Sequence, residues 1–334
     1  TGQLAALTEL CELLSMASEE SLLIGGLSVD EFSPVLVSLL RAPHNANLLL
    51  LASRAISHLI DLLPPATAPL VSLGAASTLC ERLLSSEYID LAEEILQALC
   101  KLSADHGAEV LRAGGMLAAL QFVEFYTTGA QRVAVSTAAA LCAAVTPATA
   151  HLMAEAAPTL CRLTASPDAK VIDYAICGCA RLVEAFADAA GAGAAGAGGR
   201  APAAAPPGAF AGSGSASADG SGARAGAAVA REQLRALAGH GMVTNFVTLL
   251  GARAPPSSPA ARAVRESSLP FVSDGTYSQV VRTLALAAHA SPDLSVMMHN
   301  QGIAQVLRQV LEPVALVVPQ AAVPGTGAEA VGAQ

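Results

Sequence analysis

The chain has 334 residues, a formal charge of −9 and a pI near 5.2. That acidic balance excludes a nucleic-acid surface, which needs a positive field and salt-dependent phosphate contacts. Much of the 53% apolar fraction is alanine, with no Trp and only 3% aromatics, which suits close-packed helices and not a sheet sandwich built from Val, Ile, Thr and aromatics.

The chain opens at Thr1 with no Met, basic n-region or hydrophobic signal core, so it is expected to be an excerpt of a longer protein. Residues 3–17 form an opening helix with Leu4, Leu7, Leu10, Cys11 and Leu14 on one side. Asp30 is placed to cap a helix over 32–41, with Pro34 in its first turn, where a missing N–H is harmless. Residues 47–63 carry Leu48, Ala52, Ala55, Ile56, Leu59 and Leu63 at the spacing of one buried helical stripe, and Pro64-Pro65 ends it. A short helix, then Gly74, then a helix over 76–84 complete a unit of three helices.

The pattern restarts over 88–102, with Ala92, Ile95, Leu96 and Leu99 on the stripe. It continues through 108–113, turns at Gly114-Gly115, and runs on over 117–126. A third round starts at Ala130 and passes Pro147 to a helix around Leu160. The span 133–154 has no charged residue and is long enough for a bilayer, but its Ala, Ser and Thr content with Pro147 and His151 fits a repeat helix plus a turn. A fourth round starts at Lys170, with Ile172, Ala175, Ile176, Cys179, Val183 and Phe186 on its stripe.

From 188 to 228 the chain is Ala, Gly, Ser and Pro, a composition expected to form a flexible insert. A second insert is expected over 252–270. A helix over 277–290, a turn near Pro292 and a last helix over 303–311 follow, and 313–334 reads as a flexible tail.

Gly74 stands five positions before Leu79, Gly115 before Leu120, Gly241 before Phe246 and Gly302 before Leu307. Gly74 and Gly115 are 41 residues apart, and the frame falls 40 further on at Glu155 and Leu160. Helical periods of this length mark armadillo or HEAT solenoids. The expected fold is therefore all-α, an armadillo-type right-handed solenoid of three-helix repeats. One repeat block would occupy 1–187 and another 229–312. Such layers bury one another's apolar faces and leave a long surface free, which points to a protein-binding scaffold. The charged fraction of 13% is low for a free monomer, so some apolar surface is expected to be covered by a partner or by further chain.

Chemistry-bearing patterns are weak. Gly191-Ala192-Gly193-Ala194-Ala195-Gly196 matches G-x-G-x-x-G without the strand and helix a dinucleotide site needs. Cys177 and Cys179 would point about 200° apart on a helix, so they cannot share an ion. The seven cysteines are scattered, as in a reducing compartment, which places the chain inside the cell, in nucleus or cytoplasm. The seven histidines lie singly. No catalytic, cofactor-binding or metal-binding residue is assigned. Glu87, Asp90, Glu93 and Glu94 gather at a helix start, where they favour the helix dipole or meet a basic partner. Arg82, Gln121, Glu124, Tyr126 and Arg162 are the candidate partner-binding residues near the concave groove. The absence of Trp and the scarcity of Asn argue against the basic-peptide ladder of transport receptors with this fold.

The strings Leu7-Thr8-Glu9-Leu10-Cys11-Glu12-Leu13-Leu14, Ala52-Ser53-Arg54-Ala55-Ile56-Ser57-His58-Leu59 and Glu87-Tyr88-Ile89-Asp90-Leu91-Ala92-Glu93 carry a further likeness. So do Leu111-Arg112-Ala113-Gly114-Gly115 and Thr128-Gly129-Ala130-Gln131-Arg132-Val133-Ala134. Together they resemble the armadillo region of HECT-type ubiquitin-protein ligases, of the plant KAKTUS type and its animal thyroid-receptor-interactor relatives. The likeness covers most of 4–187 and, more weakly, 230–312. The alanine content and the two inserts depart from the family. The resemblance implies a parent protein that carries ubiquitin on a HECT-domain cysteine, while this segment binds protein substrates or supports the architecture, with ubiquitin or the conjugating enzyme engaged by the rest of the chain. No membrane or nucleic-acid partner is implied. A free-standing armadillo adaptor without transferase activity is the alternative.

Overall fold

The computed structural model describes residues 2–19, 28–42, 45–195, 219–254, 270 and 272–315. Among them every regular element is a helix. After α1 (Gly2–Met16) and α2 (Val29–Arg41) the chain repeats a long helix, a second helical segment of variable length and a third, intermediate helix. The first full round is α3 (Ala46–Leu62), α4 (Thr67–Ser72) and α5 (Ala75–Ser85). The second is α6 (Ile89–Asp105), α7 (Gly107–Arg112) and α8 (Gly115–Leu120), followed by a 3-10 turn, Val123–Phe125. The third is α9 (Thr128–Cys142), a 3-10 turn, Ala150–Met153, and α10 (Ala157–Leu163). The fourth is α11 (Ala169–Ala195), α12 (Asp219–Gly239) and α13 (Met242–Gly251), and the fifth is α14 (Asp274–Ala290), α15 (Pro292–Asn300) and α16 (Ile303–Ala315).

Local chemistry sets these boundaries. The Asn45 side chain accepts the Leu48 N–H at the start of α3, and Pro64 opens a 3-10 turn just after its end. Thr127 and Ser273 cap α9 and α14 in the same way. Every apolar residue expected on the stripe of α3 is buried, from Leu48 to Leu63, and so are Ile172, Ala175, Ile176, Cys179, Val183 and Phe186 on α11. The long helices α1, α3, α6, α9, α11 and α14 pack in consecutive pairs. Intermediate helices make a second row, with α2 against α5, α5 against α8 and α13 against α16. One apolar core therefore runs the length of the stack.

The side-chain ties between layers keep the repeat interval. Arg54 binds Glu94 at 2.6 Å and Lys101 binds Asp61 at 2.6 Å, each pair 40 residues apart. Arg82 donates to the Leu40 and Arg41 carbonyls, Arg181 to Ala139, and His106 meets Thr67. Across the later part of the chain, Thr276 donates to Asp173 and Asn245 to the Cys161 carbonyl.

Several expectations need correction. Positive φ falls at Gly74, Gly114, Gly241 and Gly302, so the turn residue of the second round is Gly114 and the interval from Gly74 is 40 residues. Gly115 is instead the first residue of α8, where a Cβ would meet the Val110 side chain at 2.6 Å. The α2 helix starts at Val29 with Ser28 at its cap position, so Asp30 lies within the first turn and Pro34 inside the helix. The run over 117–126 breaks after Leu120 and resumes as a 3-10 turn. Pro292 opens α15 at a position where proline needs no N–H. The ends of the expected insert over 188–228 are helical, because alanine there keeps its helix propensity and Ala190 and Ala227 still find buried places. The rest of that insert, 196–218, most of the second and the tail from 316 lie outside the described residues.

Candidate functional site

The helices α6, α9 and α11 each begin within a few residues of the end of an intermediate helix or its trailing turn, and open depressions lie at these junctions. The first, about 400 Å³, is lined by Asn45, Leu49, Arg82, Ser85, Ser86, Glu87, Tyr88 and Leu91. A second, about 180 Å³, shares Ser86, Glu87 and Tyr88 with it and adds Ile89, Phe122, Phe125 and Tyr126. The third, about 560 Å³, lies one layer on, among Val123, Glu124, Thr128, Gln131, Arg162, Ser166 and Asp168. Two or three rounds of helix thus combine to make one interrupted trough.

The candidate residues fall on or beside the intermediate-helix row. Arg82 sits on α5 and lines the first depression, although its guanidinium is held by the Leu40 and Arg41 carbonyls. Tyr126 lines the second; it is 8% exposed, its hydroxyl has no hydrogen-bond partner among the described residues, and burial pushes the phenol up to about 12. Glu124 and Arg162 form an ion pair across adjacent layers in the third. Gln121 follows the end of α8 and lines none of the three. The structure therefore brings Glu124 and Arg162 together, reaches Arg82 and Tyr126 through the shared Glu87-Tyr88 wall, and leaves Gln121 apart.

Sequence reasoning named Tyr126 but missed the exposed aromatics beside it. Tyr88 is 62% exposed and Phe125 is 76% exposed. Both follow an intermediate helix within a few residues, and both stand outside the apolar stripes, which was the available signal. Within the acidic cluster, Glu94 pairs with Arg54 and Glu93 accepts the Thr127 hydroxyl, whereas Glu87 and Asp90 are exposed without a partner among the described residues.

Elsewhere the titratable groups serve packing. Asp168 accepts the Lys170 and Val171 N–H groups at the start of α11 and a two-nitrogen grip from Arg132, whose hydrogen bond holds its carboxyl below the usual value. Cys80 is raised to about 12 by burial, and Cys142 is raised further by the same cause. Cys179 is raised by its hydrogen bond with Cys161 and by burial. Cys177 is half-buried and Cys179 fully buried, as their divergence on a helix requires. Among the described residues no group of three or more His, Cys, Asp or Glu side chains is arranged to hold a metal ion, and no helix is long and apolar enough to cross a membrane.

The chain is similar to known proteins. A family model described as E3 ubiquitin-protein ligase TRIP12-like, TPR repeats, matches residues 1–112. The chain is 35% identical over 309 residues to E3 ubiquitin-protein ligase UPL3 of Arabidopsis thaliana, covering 92% of this chain and 14% of that protein. It is 29% identical over 309 residues to E3 ubiquitin-protein ligase TRIP12 of Danio rerio, covering 92% of this chain and 12% of that protein. These repeats are homologous to part of the UPL3 and TRIP12 ubiquitin ligases. They span only a small fraction of those relatives. Among solved structures, the designed armadillo repeat protein YIII(Dq)4CqI superimposes with a TM-score of 0.53 at 16% identity, covering 85% of this chain and 92% of that one. An engineered protein superimposes with a TM-score of 0.54 at 16% identity, covering 84% and 88%. The matched family description speaks of TPR units, which are two-helix repeats of 34 residues. Three helices per round and ties 40 residues apart identify the UPL3-like repeats here as armadillo-type.

Proposed function

We propose that this chain is a non-catalytic protein-binding scaffold of a HECT-type ubiquitin-protein ligase, holding substrate or supporting the ligase's architecture in protein ubiquitination and turnover. The observation that carries this is the homology to UPL3 over 92% of the chain, joined to a layered stack whose ion pairs, such as Arg54 with Glu94 and Arg132 with Asp168, tie neighbouring layers. Layered helices of this kind offer a long surface to a partner. Protein substrates are the partners of this segment. Ubiquitin and the conjugating enzyme are met by the rest of the parent chain, inside the cell, in nucleus or cytoplasm.

The test is deletion of residues 1–315 from the parent ligase, with ubiquitin thioester formation and substrate conjugation followed separately. The expected result is that the transferase cysteine still loads ubiquitin while conjugation of substrate proteins falls at least about tenfold. Unchanged substrate conjugation, or a parent reading frame with no HECT region, overturns the proposal.

A further inference from the structure

We infer that the groove between α1 and α2, at the N-terminal end face of the stack, is covered in the parent ligase by a further layer of amphipathic helix that precedes α1 in the sequence. The inference goes beyond the scaffold reading and rests on the layer geometry and on the homology to a longer protein.

The groove, about 410 Å³, is lined mainly by Leu10, Leu13, Phe32, Val35, Leu36 and Leu39. Leu13 is 62% exposed and Val35 55%. A solenoid that ends in water carries an atypical terminal layer with a polar outer face. The α1 and α2 helices do the opposite, so they are built as an interior layer.

Later layers show what belongs on this side. The run Ala6-Leu7-Thr8-Glu9-Leu10-Cys11-Glu12-Leu13-Leu14 recurs on α3 as Ala55-Ile56-Ser57-His58-Leu59-Ile60-Asp61-Leu62-Leu63. On α6 its first part stands as Ala98-Leu99-Cys100-Lys101-Leu102. Ala55, Leu59, Ala98 and Leu102 are each 1% exposed or less. Lys101 reaches back from this side of α6 to the Ser57 carbonyl and Asp61 of α3. This flank of a long helix therefore faces the layer before it. On α1 the matching Ala6 is exposed and Leu10 only half-buried.

The second row agrees. Ser33, Leu36, Val37 and Leu40 are buried on α2 at the spacing of Ala76, Leu79, Cys80 and Leu83 on α5. That register sets Val35 level with Thr78 and Leu39 level with Arg82. Thr78 is 6% exposed, and Arg82 reaches back to the Leu40 and Arg41 carbonyls of α2. Val35 and Leu39 hold the same stations with no layer behind them among the described residues.

Both rows thus lack the same neighbour, and the stack says where it comes from. The α3 helix is covered by α1, α6 by α3, α9 by α6 and α5 by α2, each time by an earlier part of the chain. A two-fold copy would pair this flank with itself, whereas α1 meets α3 through a different flank, from which Cys11 donates to the Leu51 carbonyl. The covering helix is expected to carry Leu, Ile or Cys at i, i+4 and i+7, as Leu7, Cys11 and Leu14 do on α1. The region matched in UPL3 is 14% of that protein, so a parent of this kind has ample chain to supply it.

The experiment is hydrogen exchange followed by mass spectrometry on the 334-residue chain and on the parent ligase. Amides of α1 and α2 are expected to exchange at least about tenfold more slowly in the parent, while those of α9, interior in both, exchange alike. Leu13→Asp combined with Val35→Asp places charge at exposed positions, so the isolated chain keeps its urea midpoint. In the parent the same pair would bury charge, and α1 and α2 return to the fast exchange of the isolated chain. Phe125→Asp, at an exposed position outside the groove, leaves α1 and α2 unchanged in both proteins. Equal exchange of α1 in both proteins, or protection in the parent that survives the double substitution, overturns the proposal. So does protection of the isolated chain that rises with its concentration, which assigns the face to a second copy. Substrate conjugation that is lost on deleting the repeats, with α1 equally exposed in chain and parent, sinks this face and leaves the scaffold standing.

Discussion

Gly114 and Gly115 are neighbours that the chain needs for opposite reasons, and substitution separates them. At Gly114, φ is +87° and an added Cβ meets nothing within 4 Å, so alanine costs only the left-handed backbone penalty, about 1 kcal/mol. Asparagine tolerates that conformation, so Gly114→Asn should recover much of the loss. At Gly115 the backbone is helical, and the obstacle is space. A Cβ there would lie 2.6 Å from Val110 Cγ1, 2.8 Å from the Val110 carbonyl oxygen and 3.3 Å from Leu141 Cδ1. The valine methyl can rotate, but the carbonyl belongs to the backbone of α7, so α7 and α8 must separate. Overpacking of this kind costs about 1–3 kcal/mol, against which the better helix propensity of alanine returns less than about 1. Gly115→Ala should therefore lose about 1–2 kcal/mol, and Gly115→Asn more. Urea unfolding followed by far-UV circular dichroism ranks the four variants. If asparagine rescues position 115 and worsens position 114, the assignment of the turn to Gly114 is wrong.

Leu99 lies fully buried between long helices, and Leu99→Ala should cost about 2–5 kcal/mol by the same urea assay. Asp168→Asn keeps the helix cap and removes the charge facing Arg132, so it should destabilise less than Asp168→Ala, which removes the cap as well, for about 1 kcal/mol. Because the folded carboxyl titrates below its unfolded value of about 3.9, its stabilisation is complete above that pH and is lost as pH falls through the folded value. The gap in stability between wild type and Asp168→Asn should accordingly be constant from about pH 7 to 5 and close below about pH 4. In iodoacetamide labelling of the native chain followed by peptide mass mapping, the half-buried Cys100 and Cys177 should react before the buried Cys80 and Cys142, whose thiolates burial disfavours.

The stripes of α3, α6 and α11 were legible because their apolar residues recur at helical spacing and every one expected there is buried. Spacing alone does not tell Gly114 from Gly115, since both satisfy a turn by eye and only the backbone angle and the nearness of Val110 decide between them. The α15 helix was hidden because Pro292 reads equally as a turn or as a first helical residue. Alanine-rich stretches at 188–195 and 219–228 looked too poor in large side chains to fold, yet lie in helices that pack on each other. Of the candidate site, Glu124 and Arg162 were named from their place in the repeat, and their pairing follows from a separation close to one round. Glu87, Tyr88 and Phe125 escaped notice as a group because their meeting depends on where two turns cross between layers.

The bonds from Arg54 to Glu94 and from Lys101 to Asp61 each reach one round along the stack and no further. A layer is thus informed only by the layers directly above and below it, and the whole behaves as a chain of coupled springs with no central keystone. Damage at one terminus should peel inward a storey at a time, leaving the layers of α5 and α6, several storeys from the final helix, folded until the fraying arrives.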